Sequence, residues 1–305
     1  MKNRLFDYWP AIGRSKLEWP NGARVAVWIG LNVEHYLIER PGISLVPVSR
    51  GTVPDPANWG WRDYGPRVGI WRVAEVLDRI GIRASVLLNS DVCELYPEIV
   101  SEGTKRGWAW LAHGKNNSTL QTDMPVDEER EYLSGVVAAI AQHTGHQPRG
   151  WLGPALTETL DTPDLLAELG LTYVCDWSND DQPYPLNVKS GRMISMPYSL
   201  EIGDIPLLFD HGQTGPQYLE TLTDHFDVLY DEGEESGRVM AIGIHGFLVG
   251  QPHRIRYLER ALEHIAGHSD VWLTTSDEIA EWYLANHYER AVEEIAARAV
   301  KASPP

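Results

Sequence analysis

Residues 111–118, Leu-Ala-His-Gly-Lys-Asn-Asn-Ser, end an apolar, tryptophan-rich run and place a histidine where the chain becomes polar. Four residues after His113, at the spacing where a second histidine would complete a metal-binding pair, stands Asn117. Histidine and carboxylate are usual zinc ligands, whereas the uncharged amide of asparagine rarely binds a transition metal. The segment is therefore a metal site, a metal site that lacks one ligand, or a plain loop.

Polar side chains follow other apolar runs in the same way. Asn32, Glu34 and His35 stand at the end of one such run, and His245 ends another. A single histidine after a strand is more often a structural hydrogen-bonding group than a catalytic one. Polar groups at several strand ends are a stronger signal, because in a βα barrel these ends face one mouth. Further candidates at or near strand ends are Arg149, Trp151, Asp180 and Asp181.

The elements that must position these residues alternate between apolar strands and amphipathic helices. The first strand, 24–33, follows the turn signal Pro-Asn-Gly. Further strands are predicted at 83–89, 108–112, 149–152, 172–175, 193–198, 239–244 and 271–274. Helices are predicted at 66–80, 91–105, 126–143, 161–169, 216–230 and 254–266, and Ser276 caps a last one. About seven alternations of this kind are typical of parallel strands in an α/β fold.

We expect one domain over residues 1–305, folded as a (β/α) barrel. The segment 36–65 is rich in Pro, Gly and Trp and has no clear period. A loop of that length is typical of a lid or a binding loop, and Trp59 and Trp61 argue against disorder. We therefore expect this loop at the mouth of the barrel.

The composition excludes several classes of partner. With a formal net charge of −17, the chain is a poor candidate for binding nucleic acid or an anionic membrane. Two distant cysteines, Cys93 and Cys175, give neither a disulfide framework nor a Cys-rich zinc module. The N-terminal residues lack the apolar core of a signal peptide, and no apolar run is long enough to span a membrane. We expect a soluble, cytoplasmic protein that binds a small molecule.

Motifs of several enzyme classes are missing from the sequence. There is no Gly-x-Ser-x-Gly nucleophile elbow, no Gly-x-x-x-x-Gly-Lys-Ser/Thr phosphate loop and no Gly-x-Gly-x-x-Gly after the first strand. A His-Glu-x-x-His helix is also missing. These absences argue against a serine hydrolase, a nucleotidase and an NAD-dependent enzyme.

Five short motifs nevertheless follow one another along the chain. They are Asn-x-Glu, His-Gly-x-x-Asn, Arg-Gly-Trp-x-Gly-Pro, Asp-x-x-x-Asp-Asp-x-Pro-Tyr and Ile-x-Ile-His. In their order and spacing the chain resembles the polysaccharide deacetylase (NodB-homology) superfamily, most of all the branch of PuuE-type allantoinases and cyclic imide hydrolases. The resemblance covers nearly the whole chain and implies an α/β fold, a distorted (β/α) barrel of the NodB-homology type.

The resemblance implies a metal site that has changed. Metal-dependent relatives carry Asp-x-Asp and His-x-x-x-His, and the matching positions here are Asn32 and Glu34, then His113 and Asn117. The metal candidates are therefore Glu34, His113 and Asn117, of which only two are usual zinc ligands. An amide takes no proton near neutral pH, so Asn32 cannot be a general base. The resemblance implies a divalent metal, zinc, that is weakly bound or absent.

Other roles follow from the same resemblance. The family's general acid falls on His245, and the arginine that orients acidic groups falls on Arg149. With Glu34 and His113, these two are the catalytic candidates. Desolvation in an apolar pocket is expected to raise the pKa of Glu34, so that it can act as a base. The expected substrate contacts are Asn32, His35, Asn117, Trp151, Asp180 and Asp181.

Three functions remain open. The first is a hydrolase of carbon–nitrogen bonds other than peptide bonds, which opens a small cyclic amide, imide or ureide in the manner of an allantoinase. The second is a metal-dependent N-deacetylase of an N-acetylated sugar or amine. The third is a non-catalytic protein that binds a metabolite or sugar. The family precedent and the tryptophan content also suggest a homo-oligomer.

Overall fold

The computed structural model describes residues 3–40, 42, 47–49 and 51–302. Within these residues it contains one sheet of nine strands. The strands are β1 (Val25–Val33), β2 (Ser85–Leu88), β3 (Ala109–Ala112), β4 (Gly150–Trp151), β5 (Tyr173–Val174), β6 (Tyr184–Pro185), β7 (Ile194–Ser195), β8 (Arg238–His245) and β9 (Val271–Leu273). Every strand predicted from the sequence is present, and β6 is the additional one.

The strand order is β6-β7-β5-β4-β3-β2-β1-β8, and β9 also pairs with β1. Neighbouring strands are parallel except for β6 and β7, which are antiparallel. Parallel strands need crossover connections, and helices supply most of them here. The sheet curls into a half-barrel, which confirms the expected α/β fold of the distorted (β/α) barrel type.

The helices of the described residues fill the connections between strands. They are α1 (Pro56–Tyr64), α2 (Ile70–Ile80), α3 (Ser90–Leu95), α4 (Pro97–Lys105), α5 (Val126–Thr144), α6 (Thr162–Glu168), α7 (Gly215–Glu232), α8 (Ile255–Ala266), α9 (Ser276–Asn286) and α10 (Tyr288–Ala302). In this part of the chain, none of them combines the length and the apolar character that crossing a bilayer requires.

The expected loop 36–65 contains a helix. Helix α1 begins after Asp55, whose side chain accepts a hydrogen bond from the backbone N–H of Asn58. A π-helical turn, Gly65–Gly69, joins α1 to α2, so the predicted helix 66–80 begins earlier than expected. The Pro and Gly residues of the segment are loop signals, which explains why the sequence suggested a loop. Residues 41, 43–46 and 50 of this segment lie outside the described part.

Two other predicted helices are each divided in two. The helix expected over 91–105 is α3 followed by α4, because Pro97 disfavours the helical conformation of Tyr96, whose φ and ψ are −135° and 57°. The helix expected after Ser276 is α9 followed by α10, with His287 between them at φ −129°.

The side chains of strand β1 alternate between the two faces of the sheet. Its residues are all buried. Val25, Val27, Ile29, Leu31 and Val33 join the core between the sheet and the outer helices, whereas Ala26 and Trp28 join the core inside the half-barrel. Because side chains alternate along a strand, the even positions that follow continue the inner face. Asn32 and Glu34 are therefore directed into the half-barrel.

Candidate active site

A cavity of about 490 Å³ lies at the carboxyl ends of the central strands. Glu34 follows β1, His113 follows β3, and His245 is the last residue of β8. Asn32 is paired in register with His245 across β1 and β8, which brings these two side chains to the same level. All four residues line the cavity, and so does Asn117. We call these five residues the polar end of the cavity.

The side chain of Glu34 is at the centre of the polar end. Its Oε1 atom accepts a hydrogen bond from Asn117 Nδ2 at 2.5 Å and lies 3.3 Å from His113 Nε2 and 3.5 Å from His245 Nε2. Its Oε2 atom accepts a bond from the hydroxyl of Tyr36 at 3.0 Å. Only 7% of the Glu34 side chain is exposed. Several donors thus converge on one buried carboxylate.

The pKa of Glu34 differs from the expectation. Burial would raise the pKa of Glu34, but the positive charge of His245 and hydrogen bonds from His113 and His245 lower it below its ordinary value. Burial opposes the charged form of His245, yet the carboxylates of Asp204 and Glu34 raise the pKa of His245 to about 10. At neutral pH Glu34 is a carboxylate and His245 an imidazolium. The predicted rise in the Glu34 pKa is therefore wrong.

His113 is held by the backbone of the next strand. Its Nδ1 atom lies 2.7 Å from the carbonyl oxygen of Leu152, and since a carbonyl only accepts, Nδ1 carries a proton. The other nitrogen, Nε2, faces Glu34 Oε1 at 3.3 Å. A lone pair on Nε2 would repel the carboxylate at that distance. A cation shared between His113 Nε2 and Glu34 Oε1 would relieve this contact.

A chain of amides fixes the orientation of Asn117. The side chain of Asn89, which is fully buried, accepts a hydrogen bond from the backbone N–H of His35 at 2.8 Å, so its oxygen and nitrogen are distinguished. Asn89 Nδ2 donates to the carbonyl oxygen of His113 and, at 3.0 Å, to Asn117 Oδ1. Asn117 then presents its Nδ2 group to Glu34. The amide of Asn117 acts as a donor toward Glu34.

This donor set does not fit a three-ligand zinc site. A catalytic zinc is held by three protein ligands and keeps one position open. Glu34 Oε1 and His113 Nε2 supply two ligand atoms. The Nε2 of the charged His245 carries a proton, and the oxygen of Asn117 is turned toward Asn89. In the described residues, three His, Cys, Asp or Glu side chains with ligand atoms within 4.8 Å of one another occur at Asp227, His264 and His268. That cluster lies on α7 and at the end of α8 and includes no residue that lines the cavity.

The side chain of Asn32 is held by hydrogen bonds to a tyrosine and to a backbone carbonyl group. Its Nδ2 group donates to the hydroxyl of Tyr198 and to the carbonyl oxygen of Ile244, both at 3.2 Å. The ring of Tyr198 fits there because Gly30 and Gly243 have no side chain. A Cβ atom at Gly243 would lie 2.3 Å from the Tyr198 hydroxyl, and one at Gly30 would lie 3.1 Å from its ring.

Three charged residues expected at the mouth lie elsewhere. Arg149 precedes β4, is largely exposed and pairs with Glu281 at 3.3 Å. Asp180 pairs with Arg14 at 2.5 Å, and the backbone carbonyl of Asp181 accepts a bond from the N–H of Val239, near the start of β8. The starts of the strands lie at the end of the half-barrel opposite the cavity. The expected placement of Arg149, Asp180 and Asp181 in the site is therefore wrong.

The side chains of two other expected substrate contacts, Trp151 and His35, point away from the cavity. Trp151 is fully buried in the core between the sheet and the helices, because strand alternation turns it outward while Leu152 faces inward. His35, one residue after Glu34, is likewise turned to the other side, where its Nδ1 lies 3.0 Å from the hydroxyl of Tyr96. Neither residue lines the cavity, whereas Trp61, on α1, does.

The sequence reasoning missed four residues that shape the site. Asp204 is fully buried and binds His245, Tyr36 binds Glu34, and Asn89 and Tyr198 orient the two asparagines. Asn89 and Tyr198 end predicted strands, so the rule that singled out Asn32 and His245 could have found them. No local pattern marks Asp204, which precedes a π-helical segment, Ile205–Asp210.

Comparisons with known proteins agree with this architecture. The sequence model of the family described as polysaccharide deacetylase matches residues 61–174. A curated protein of Schizosaccharomyces pombe named "Putative polysaccharide deacetylase" is 30% identical over 306 residues, which cover 90% of this chain and 94% of that protein.

Solved structures extend the similarity. The crystal structure of PuuE allantoinase superposes with a TM-score of 0.80 at 27% identity, covering 92% of this chain and 99% of that one. A structure described as "probable Polysaccharide deacetylase from Pseudomonas aeruginosa PAO1" has a TM-score of 0.79 at 26% identity, covering 90% of this chain and 96% of that one. The similarity thus spans the whole half-barrel.

Proposed function

The chain belongs to the polysaccharide deacetylase family, and from this membership and the geometry of the cavity we propose that it hydrolyses a carbon–nitrogen bond in a small cyclic amide, imide or ureide. The observation that carries the proposal is the arrangement of Glu34 between two histidines, of which His245 is charged and so has no free nitrogen for a metal. The similarity to PuuE allantoinase supports the cyclic substrate.

The hydrolysis needs an activated water, a stabilised oxyanion and a protonated leaving nitrogen. In the proposed reaction a water oxygen attacks the carbonyl carbon, and its proton passes to Glu34. The carbon–nitrogen bond then breaks, and the nitrogen takes a proton from His245 Nε2. A carboxylate with a lowered pKa is a weak base, so the substrate must separate Glu34 from His245 before the proton moves.

The amides of the polar end suit a ring that carries both N–H and C=O groups. Asn32 uses its nitrogen toward Tyr198 and Ile244, which leaves its side-chain oxygen as an acceptor for an N–H of the substrate. Asn117 contributes N–H donors. An amide, imide or ureide ring presents the complementary groups along its edge.

A metal-dependent N-deacetylase is the second candidate. It is favoured by the 3.3 Å approach of His113 Nε2 to Glu34 Oε1, which a shared cation would stabilise. A divalent metal bound there would polarise the carbonyl group and lower the pKa of a bound water. The third reading, a non-catalytic binding protein, has no observation of this kind in its favour.

The test is a substrate screen with the wild-type protein and the Glu34→Gln variant. The panel is hydantoin, succinimide, allantoin and N-acetylglucosamine, each assayed after chelation and again with added zinc. We expect ring opening that survives chelation and falls by at least about 100-fold in Glu34→Gln. Deacetylation that appears only with zinc would favour the second candidate, and equal rates in both proteins would reject both enzymes.

A further inference from the structure

The cavity has apolar walls on both sides of its polar end. Trp61, Phe209 and Phe247 form what we call the aromatic wall. The ring of Phe247 lies 5.3 Å from that of His245 and 4.7 Å, edge to face, from that of Trp61, whose ring is 5.5 Å from Phe209. This wall extends from the general acid out to Phe209, which is 40% exposed at the rim.

The opposite side is lined by leucines. Leu120, Leu152 and Leu156 form the aliphatic wall. It starts at His113, which binds the carbonyl oxygen of Leu152, and ends at Leu120, which is 39% exposed. Exposed apolar side chains that cluster at the rim of a pocket mark a surface that binds something apolar.

One part of the aliphatic wall is built on a strained turn. Ala155 and Leu156 have φ values of 57° and 54°, in the left-handed region that side chains other than Gly and Asn rarely adopt. The turn is held by hydrogen bonds from Leu156 N to Gly153 O at 2.8 Å and from Gly153 N to Asp176 Oδ1 at 2.7 Å. Strain of this kind persists at ligand sites, and here it places Leu156 against the cavity.

These walls select the chemistry of the ligand. Arg62, Ser199 and Asp210 also line the cavity, but hydroxyl groups of a sugar that lie between the two walls would face hydrocarbon. Each buried hydroxyl without a partner is unfavourable. An apolar group would instead gain by leaving water. The volume of about 490 Å³ lies in the range of roughly 300–1,000 Å³ typical of cavities that take drug-sized ligands. An unsubstituted five-membered ring would leave much of that space empty.

Resting on the proposed hydrolase function, we infer that the substrate carries an aromatic or branched aliphatic substituent beside the bond that is cleaved. The reacting ring lies against the polar end, and its substituent lies between the aromatic and aliphatic walls. The substrate class is thus an apolar-substituted cyclic amide, imide or ureide, and neither a sugar nor an unsubstituted ureide.

The test compares 5-benzylhydantoin with hydantoin. In the wild-type protein we expect kcat/KM for the benzyl compound to be higher by on the order of 100-fold. Two wall variants, Leu156→Asn and Phe209→Gln, should reduce this ratio at least about tenfold, mainly through the KM of the benzyl compound. Asparagine tolerates the left-handed conformation, so Leu156→Asn keeps the turn. Leu160→Asn is the matched control, because Leu160 is 61% exposed and does not line the cavity.

Binding measured by calorimetry separates this inference from the proposed function. If neither compound is hydrolysed but 5-benzylhydantoin binds the wild type and binds Leu156→Asn at least about tenfold more weakly, the walls have the inferred role and the hydrolase proposal fails. If hydantoin is hydrolysed as efficiently as its benzyl derivative, the inference is overturned and the hydrolase remains. In Phe209→Gln, the ratio of kcat/KM for 5-benzylhydantoin to that for hydantoin could stay unchanged while light scattering shows a loss of oligomers. This result would show that the rim contacts a second copy, and it would also overturn the inference.

Discussion

Asp204 binds His245 through both of its carboxylate oxygens. Oδ2 accepts from the backbone N–H of His245 at 2.6 Å, and Oδ1 accepts from its ring Nδ1 at 2.7 Å. Because Asp204 is fully buried, this pair fixes the position of the ring and keeps a proton on Nδ1, and the charged ring carries a second proton on Nε2. The Nε2–H group is consequently directed at Glu34 and into the cavity.

We predict that Asp204→Asn removes the general acid at alkaline pH. Burial lowers the pKa of His245, but the carboxylates of Asp204 and Glu34 raise it to about 10. Without the charge of Asp204 the pKa falls, and the ring loses its proton at a lower pH. At pH 8 we expect kcat to fall by on the order of 100-fold, with a smaller loss at pH 6. The pH profile of kcat and an NMR titration of the His245 ring measure both effects.

The control for this experiment is Asp227→Asn. Asp227 Oδ1 lies 2.7 Å from His264 Nε2 on the outer helices, so this variant also breaks an aspartate–histidine pair, but one far from the cavity. It should leave the pH profile unchanged. A wild-type profile in Asp204→Asn would contradict the role assigned to Asp204.

We next predict that Asn117→His creates a zinc site. The side chain of Asn117 already contacts Glu34 Oε1 at 2.5 Å, and His113 Nε2 lies 3.3 Å from the same oxygen. A histidine nitrogen in that place completes three ligands. We expect the variant to retain about one equivalent of zinc after dialysis, measured by mass spectrometry, and the wild type to retain less.

Asn116→His is the matched control for zinc binding. Asn116 is the preceding residue, but its amide donates to Asp91 Oδ2 at 2.8 Å and does not face Glu34. This variant should bind no more zinc than the wild type. Equal zinc contents in the two variants would show that the orientation of Asn117 does not determine metal binding.

The predictable part of the site rests on local periodicity. Alternation along a single strand is enough to place Asn32 and Glu34 on one face, and the same alternation turns Trp151 away. The error for Arg149 arose because β4 is only Gly150–Trp151, so that Arg149 precedes the strand and lies at its other end. Because β4 has only two residues, the residue before it already lies at the end of the half-barrel opposite the mouth.

The contacts that orient the catalytic candidates depend on residues distant in sequence. Asp204 lies 41 positions from His245, and Asn89 lies 28 positions from Asn117. Nothing in the local pattern around either residue specifies its partner, because the pairing depends on how the loops cross above the sheet. The apolar walls were unpredictable for the same reason, since they come from α1, three loops and a π-helical segment.

Asn89→Asp is expected to destabilise the protein strongly. The amide nitrogen of Asn89 donates to His113 O and Asn117 Oδ1, and a carboxylate there would place an acceptor against two acceptors in a fully buried position. We expect the free energy of unfolding to fall by about 2–4 kcal/mol, as measured by urea denaturation at pH 7.

The exposed variant Asn286→Asp serves as the comparison for Asn89. Its amide donates to the carbonyl oxygen of Trp282 at 2.9 Å on the surface of α9. We expect this change to alter stability by less than about 0.5 kcal/mol. Similar losses in the two variants would mean that the amide chain from Asn89 to Glu34 adds no stability of its own.

The last prediction concerns a buried carboxyl group near the strained turn. Burial raises the pKa of Glu158 to about 7, and the charge of Glu129 adds to the shift, while a hydrogen bond from Trp177 opposes it. The folded state therefore keeps the proton of the Glu158 carboxyl group to a higher pH than the unfolded chain does. The contribution of this proton to the free energy of unfolding is complete below pH 4.5 and is lost as the pH rises to about 7.

The variant Glu158→Gln has no such proton. Its stability relative to wild type should increase by on the order of 1–3 kcal/mol between pH 5 and pH 7.5 in urea titrations. A curve for Glu158→Gln that runs parallel to that of the wild type would show that Glu158 ionises normally in the folded protein.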